Sequence, residues 1–262
     1  MLLGHGEVLV GKRDEPGGGG PIPCSSMRSL PVVPDHPVRW ATGDALLVLL
    51  GTQLLSFVWA SLIIVSVYGG DVPDPLPIAL LAALNIALWA GYGLGPVVVA
   101  RAKGRGPRPD YGATVEPLDV PLGLAVGVAA QLVILPLLYL PILRLVDGDP
   151  SESARELIAA VEGPVDLVLF VASAVVMAPL VEELFYRGLL LRALQRRFGP
   201  AVAVVVSAAV FAAVHRDLLA LPGLFVFGLL AGWLAVRTGR LGPAWAMHVG
   251  FNVTTLIALR GA

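Results

Sequence analysis

Long apolar runs are the feature of this sequence that most constrains its fold. A run of about 20 apolar residues crosses the hydrocarbon core of a bilayer as a helix, and this chain of 262 residues holds several such runs. Charged residues make up only 14% of the sequence, whereas soluble domains carry about 25%. The sequence therefore predicts an all-α protein, a polytopic bundle of transmembrane helices.

The number of spans follows from the positions of the apolar runs. The sequence predicts about seven spans, whose ends are defined only to within several residues. They lie near residues 44–68, 76–100, 120–146, 165–190, 201–215, 223–238 and 242–260. The fifth and sixth runs are short, and the connection between them is not expected to reach water. Residues 150–163 are a candidate for a short helix on the outer surface.

The first 42 residues differ in composition from the rest of the chain. They are rich in Gly and Pro, including the stretch PGGGG, and cannot bury enough apolar surface to offset the entropy of ordering. Residues 1–42 are therefore predicted to be a disordered tail, and residues 43–262 to be the transmembrane domain. Met27 is an alternative start, and no secretory signal pattern precedes it. A single cysteine, Cys24, excludes an intrachain disulfide.

Charge in the connections predicts the orientation in the membrane. Basic residues cluster in 101–109, 192–197 and 237–240, whereas 69–75 and 147–162 are mostly acidic. Because Lys and Arg are enriched in cytoplasmic connections, we expect a cytoplasmic N-terminus and a location in the plasma membrane. The formal net charge of −1, without a basic stripe of interleaved aromatics, argues against a nucleic-acid partner.

Polar side chains inside the later spans are the candidates for function, because an ion at hydrocarbon depth costs at least about 2.5–3.5 kcal/mol. These candidates are Glu182, Glu183, Arg187, His215, His248 and Asn252. Glu183 and Arg187 are four residues apart, so they share a helix face and are expected to pair. Glu182 lies about 100° around the same helix and keeps no partner in its own segment. His248 and Asn252 also share a face.

Depth brings three of these groups to one layer. At about 1.5 Å per residue, Glu182 lies ~15 Å from Arg192, and His248 lies ~12 Å from Arg240. Glu182 and His215 stand at nearly equal distances from the turn that joins their helices. We therefore expect Glu182, His215 and His248 to surround one cavity in the cytoplasmic leaflet.

One carboxylate and two imidazoles permit two kinds of hydrolysis. Glu182, His215 and His248 form a familiar ligand set for a catalytic zinc that keeps an open position for water. Without a metal, Glu182 takes a proton from water while the histidines stabilise the oxyanion. Both routes attack an acyl bond with activated water, and the residues alone leave the choice open.

Three motifs in register resemble those of the CAAX protease and bacteriocin-processing (Abi) family of intramembrane endopeptidases. The stretches EELFYR, FAAVH and HVGFN match EExxxR, FxxxH and HxxxN in order, spacing and placement, over about residues 165–258. The resemblance implies an all-helical protein with a catalytic cavity open to the cytoplasm. It also implies that Glu182 activates water, and that the catalytic set includes Glu183, Arg187, His215, His248 and Asn252.

The resemblance further implies a peptide or protein substrate, with lipidated proteins among the candidates. Eukaryotic members of the family cut the last three residues from prenylated CAAX proteins, whereas bacterial members are tied to bacteriocin maturation, self-immunity or regulation. Dependence on zinc is disputed within the family, so the metal-free route stays open beside the zinc route.

The alternative from another class is a non-catalytic membrane protein. Such a protein keeps the pocket for binding, as an immunity or scaffold protein, or uses Glu182 and the histidines as a proton relay in transport. A relay strings ionisable groups across both leaflets, and the sequence places few in the outer one, which favours the protease. Asn85 and Gln131, in the second and third spans, are expected to form contacts between helices.

Overall fold

The computed structural model describes residues 38–261, and every regular element in that range is a helix. The helices are α1 Thr42–Tyr68, α2 Ile78–Lys103, α3 Pro107–Tyr111, α4 Asp119–Ile142, α5 Glu152–Ala159, α6 Pro164–Phe198, α7 Pro200–Val214, α8 Leu221–Thr238 and α9 Gly242–Arg260. The all-α prediction is confirmed for the described residues. Nearly all of the predicted tail, with Cys24 and Met27, lies outside them.

Five of these helices are long and apolar enough to cross a membrane, namely α1, α2, α4, α6 and α8. They make the chain an integral membrane protein. The first helix exposes large apolar side chains such as Leu47 and Phe57, as a helix that faces lipid does. Helix α7 is apolar but has only 15 residues, and α9 is not among the five. The predicted count of seven spans is therefore confirmed for five.

Two of the long helices widen before a proline. Helix α4 contains the π-helical turn Ala130–Ile134, and α6 contains the π-helical turn Val171–Met177. Each turn ends two residues before a proline, Pro136 in α4 and Pro179 in α6. Proline has no N–H, and its ring crowds the carbonyl of the preceding turn. The wider turn accommodates this ring without ending the helix.

Helix α6 widens a second time at Leu184–Leu190. The ordinary α-helical stretch between its two π-helical turns is Ala178–Glu183, which carries Glu182 and Glu183. Because π-helical turns are frequent at functional sites, this placement marks the paired carboxylates as the centre of the candidate site.

One end of the bundle, here called the basic end, comprises residues 38–44, 101–119, 192–200 and 237–242. Side-chain contacts tie its helices together. The Arg196 guanidinium donates to the carbonyl oxygen of Trp40 at 2.6 Å, which joins α6 to the start of α1. Arg240 donates to Asp119 at 2.7 Å, which joins the turn before α9 to the start of α4.

The opposite end, here called the cavity end, comprises residues 69–78, 143–166, 215–223 and 256–260. Helix α5 lies there, as expected for the short helix predicted within residues 150–163. Its Ser153 hydroxyl donates to Asp217 at 2.9 Å, which joins α5 to the connection between α7 and α8. The Tyr139 hydroxyl of α4 donates to the carbonyl oxygen of Leu219 in the same connection.

Candidate active site

Glu183 is the hub of a buried hydrogen-bonded group. Its Oε1 accepts a hydrogen bond from Nη1 of Arg187 at 3.0 Å and lies 2.9 Å from Nδ1 of His248. The Glu183 and Arg187 side chains are 1% and 0% exposed, so the pair predicted from the spacing of four is confirmed. A buried pair needs further partners to offset its lost hydration. Arg187 finds one in the ring of Phe211, whose centroid lies 4.6 Å from the guanidinium carbon.

The contact with Glu183 fixes the direction of the His248 ring. Because the carboxylate oxygen only accepts, Nδ1 of His248 carries the proton and donates to it. The other ring nitrogen, Nε2, is directed toward Glu182 and lies 4.0 Å from Oε2 of that carboxylate. This separation is beyond the range of a direct hydrogen bond. Glu182 and His248 therefore face each other without a direct hydrogen bond, close enough for one bridging water to bond to both.

His215 is held in a similar way at the end of α7. Its Nδ1 lies 2.7 Å from the carbonyl oxygen of Phe211, one turn earlier. The carbonyl can only accept, so Nδ1–H donates and Nε2 is the nitrogen left available. The ring also packs at 4.7 Å from the Phe211 ring. The spacing of four between Phe211 and His215 thus supplies both a hydrogen-bond acceptor and an aromatic support.

Asn252 lies one turn beyond His248 on α9 and bonds to α6. Its Nδ2 donates to the carbonyl oxygen of Ala174 at 2.7 Å. In π-helical geometry that carbonyl would accept from the residue five positions later, which is Pro179 and has no N–H. Asn252 satisfies the acceptor that the proline leaves free. This bond fixes α9, and with it His248, against the stretch of α6 that carries Glu182.

A cavity of about 580 Å³ lies against this group of side chains. The structure brings Glu182, Phe211, His215, His248 and Asn252 to its wall. Glu183 and Arg187 do not line it and lie behind the wall. The predicted catalytic set therefore has two parts. One consists of residues that can contact a substrate, and the other is the buried pair of Glu183 and Arg187, which supports His248.

Helices α2 and α4 complete the wall with residues outside the three motifs. Asn85 and Gln131 line the cavity, together with Trp89. Asn85 Nδ2 donates to the carbonyl oxygen of Leu81 in its own helix at 2.9 Å, and the expected contact between helices stays a prediction. Trp89 Nε1 and Gln131 Oε1 are buried and have no hydrogen-bond partner among residues 38–261. Trp89 was not predicted; its spacing of four from Asn85 was the available signal.

The connection after His215 forms part of the rim. Arg216 follows with φ +57°, the only positive φ of a non-glycine residue in the described range. Asp217 then lines the cavity and accepts the backbone N–H groups of Leu219 and Ala220. The hydrogen bond from Ala220 is the main cause that lowers the pKa of the Asp217 carboxyl. Through Asp217 this connection forms part of the cavity wall.

The predicted zinc ligands fit a metal in chemistry but not in spacing. Both histidines donate through Nδ1 to an oxygen and leave Nε2 available, the arrangement common to histidines that bind metals through Nε2. Within residues 38–261, however, no group of three or more His, Cys, Asp or Glu side chains lies close enough to hold a metal ion. The zinc site formed by Glu182, His215 and His248 therefore stays a prediction.

Comparison with known proteins agrees with the motifs. Residues 164–254 match the Rce1-like family of type II CAAX prenyl endopeptidases. The matched segment contains all three motifs and agrees with the expected extent of about 165–258, so the family resemblance is confirmed there. No curated protein and no solved structure matches the chain. Helices α1 to α5 lie outside the matched segment.

Proposed function

We propose that the protein is an intramembrane endopeptidase that hydrolyses a peptide bond with water activated by Glu182. The observation that carries the proposal is the pair formed by Glu182 and His248, whose Oε2 and Nε2 atoms face each other at 4.0 Å beside the cavity. One water that makes two hydrogen bonds of about 2.8 Å spans such a distance. The similarity of residues 164–254 to CAAX prenyl endopeptidases supports the same activity.

In the proposed reaction Glu182 acts first as a base. Its carboxylate takes a proton from water while the water oxygen forms a bond to the carbonyl carbon of the peptide. The carbonyl electron pair moves onto oxygen, and the histidines at the cavity, His215 and His248, stabilise that oxyanion. Glu182 then returns its proton to the amide nitrogen as the C–N bond breaks. The products are one carboxylic acid and one amine.

The remaining motif residues act through their neighbours. Glu183 holds the His248 ring by its Nδ1–H, and Arg187 balances the charge of Glu183. Because the charges of Glu183 and Arg187 balance each other, Arg187 does not pair with Glu182, and Glu182 is the carboxylate that faces the cavity. Asn252 fixes α9 against α6. We assign Glu183, Arg187 and Asn252 as positioning residues.

The substrate belongs to the peptides and proteins, lipidated proteins included. Most side chains of the cavity wall are apolar, which suits an apolar segment or a lipid attached to a peptide. The scissile bond would lie beside Glu182 and the two histidines, which line the same cavity.

The proposal is tested by Glu182→Gln, which keeps the shape of the side chain and removes the base. Purified protein in detergent should cleave peptides, and the variant should lose about 10²- to 10⁴-fold in kcat. Glu162→Gln, the same change at an exposed residue of the cavity end, should retain the wild-type rate. Equal rates for Glu182→Gln and wild type, at unchanged Tm, would remove Glu182 from the mechanism.

The zinc route has a separate test. We expect the metal content of protein purified without chelator, and the activity after chelation and zinc addition, to separate the two routes. One zinc per chain together with activity that returns only on zinc addition would replace the metal-free step.

The non-catalytic alternative predicts a different outcome. An immunity protein or a transporter would bind a ligand or take up protons, and Glu182→Gln would abolish that property. The wild type would then cleave no peptide under any condition in which it is folded.

A further inference from the structure

The cavity lies in one half of the bundle. Each long helix that lines it contributes residues mainly from the half nearest the cavity end: 78–89 of α2, 131–139 of α4, 170–182 of α6, 223–227 of α8 and 248–256 of α9. Glu182 and His248 lie deepest, just beyond the middle of their helices as counted from the cavity end. Helix α5 contributes from the cavity end itself. The basic end is the predicted cytoplasmic end, whereas the cavity lies toward the opposite end. The cytoplasmic opening expected from the resemblance is therefore not confirmed.

Packed side chains separate the cavity from the basic end. Beyond Glu182, eleven consecutive residues of α6, 185–195, are buried. Trp40 and Tyr111 are fully buried at the basic end itself. On this side a substrate would have to pass through close-packed core. On the other side, the cavity is lined by Ser153, which is exposed, and by Asp217.

The two ends differ strongly in their basic residues. The segments of the basic end defined above hold ten Lys and Arg and four Asp and Glu. The segments of the cavity end hold four Lys and Arg and nine Asp and Glu. An excess of Lys and Arg in short connections marks the cytoplasmic side of a membrane protein. This asymmetry predicts that the basic end faces the cytoplasm.

We infer that the cavity opens to the non-cytoplasmic face of the membrane, so that the protein acts on peptide segments presented from that face. The orientation rests on charge and packing alone, whereas cleavage of such segments rests on the proposed endopeptidase function. The candidate substrates become exported peptides and the outward-facing segments of membrane proteins, rather than proteins of the cytoplasm.

Single cysteines test the orientation without reference to activity. Cys24 is the only cysteine of the chain, so Cys24→Ser gives a background without thiols. Ala154→Cys and Ala159→Cys place a thiol on α5, whereas Ala102→Cys and Ala201→Cys place one at the basic end. All four are alanines, so no charge that sets the orientation is changed.

The thiols are labelled with a membrane-impermeant maleimide in right-side-out membrane vesicles. We expect Ala154→Cys and Ala159→Cys to be labelled there, and Ala102→Cys and Ala201→Cys to be labelled only after detergent is added. The inference is overturned if the two pairs exchange behaviour. It is also overturned if both pairs react in intact vesicles, or if the α5 pair reacts only in detergent.

The direction of substrate access is tested with a peptide that cannot cross membranes. Right-side-out vesicles of the wild type should cleave it, and inverted vesicles should lose nearly all of that rate until detergent is added. Glu182→Gln vesicles provide the background rate. Cleavage by inverted vesicles alone contradicts the inference. The expected labelling together with no cleavage even in detergent contradicts the endopeptidase and leaves the orientation standing.

Discussion

The basic end and the cavity end of this bundle are built in opposite ways. At the basic end Trp40 is fully buried, its indole N–H donates to Asp110, and the Arg196 guanidinium lies 4.9 Å from its ring centroid. Arg240 makes two hydrogen bonds to Asp119. At the cavity end the ion pair between Arg155 and Asp149 is half exposed. The buried residues there form only a small apolar cluster, Ile78, Ile158 and Val161 with Phe170 of α6.

The difference shows how a rigid site can face an open space. The carboxylates lie where the two regions meet, since residues 185–195 of α6 are buried and Glu182 faces the cavity. Packing on one side fixes the position of Glu182 and of the Glu183–Arg187 pair, and the cavity on the other side leaves space for a substrate. Catalytic groups need such support to hold a productive geometry. We therefore expect substitutions at the basic end to act on stability, and substitutions at the cavity wall to act on activity.

Among substitutions that compare the stability of the two ends, Gly112→Ala at the basic end is expected to have the largest effect. Gly112 has φ +68°, a region that favours glycine, and an added Cβ would overlap the carbonyl oxygen of Gly239. Its own carbonyl accepts from Leu241 at 2.8 Å, which joins two connections. Backbone strain and steric overlap together should cost about 3 kcal/mol or more of unfolding free energy.

The matched control is Gly163→Ala at the cavity end. An added Cβ there meets no atom within 4 Å, so the change should cost less than about 1 kcal/mol, the loss of a preferred residue before a helix. Both variants are compared by thermal unfolding in detergent. Equal losses of Tm would mean that the basic end is no more tightly constrained than the cavity end.

A smaller effect is expected for Arg240→Gln. Arg240 pairs with Asp119, whose side chain is only 3% exposed, so the change leaves a buried carboxylate without its guanidinium. Loss of charge-assisted hydrogen bonds of this kind costs about 1.5–3 kcal/mol. Arg155→Gln removes an equivalent pair with Asp149 at the cavity end, where both side chains are about half exposed, and should cost about 0–1 kcal/mol.

Chemical denaturation of the two arginine variants measures this difference. If Arg155→Gln destabilises the protein as much as Arg240→Gln does, the ion pairs do not distinguish the ends.

The sequence predicts contacts within one helix better than contacts between helices. The spacing of four predicts the contact between Glu183 and Arg187, because both residues lie in the same helix and its geometry is local. The bond between Glu183 and His248 joins residues 65 positions apart. No spacing contains that information, and only the family resemblance grouped the two residues.

The position of the cavity illustrates the same limit. Distances along a helix predict the depth of Glu182 and His248 but not the direction in which the space beside them extends. That direction depends on how α2 and α4 pack, and their wall residues, Trp89 and Gln131, belong to no motif. The prolines that follow the π-helical turns of α4 and α6 are visible in the sequence. The turns themselves are not, because they form only where packing in the bundle makes each helix continue past its proline.

The smallest effect is expected for Asp217→Asn at the rim of the cavity. The Ala220 N–H lowers the pKa of this carboxyl below its ordinary value of 3.8, with a further contribution from the Ser153 hydroxyl. A carboxyl with a lowered pKa in the folded state stabilises the protein fully above its unfolded pKa, and this contribution is lost as pH falls through the folded pKa. The difference in Tm between wild type and Asp217→Asn should therefore be constant above about pH 5 and shrink as the pH falls below it.

Ser153→Ala separates the charge of Asp217 from its link to α5. This variant removes one hydrogen-bond donor and keeps the carboxylate with both backbone donors, so it should retain most of the pH dependence that Asp217→Asn removes. It should also loosen α5 over the cavity, which is measured by faster maleimide labelling of Ala154→Cys. A Tm difference that is constant with pH would show that the Asp217 charge does not hold the cavity end together.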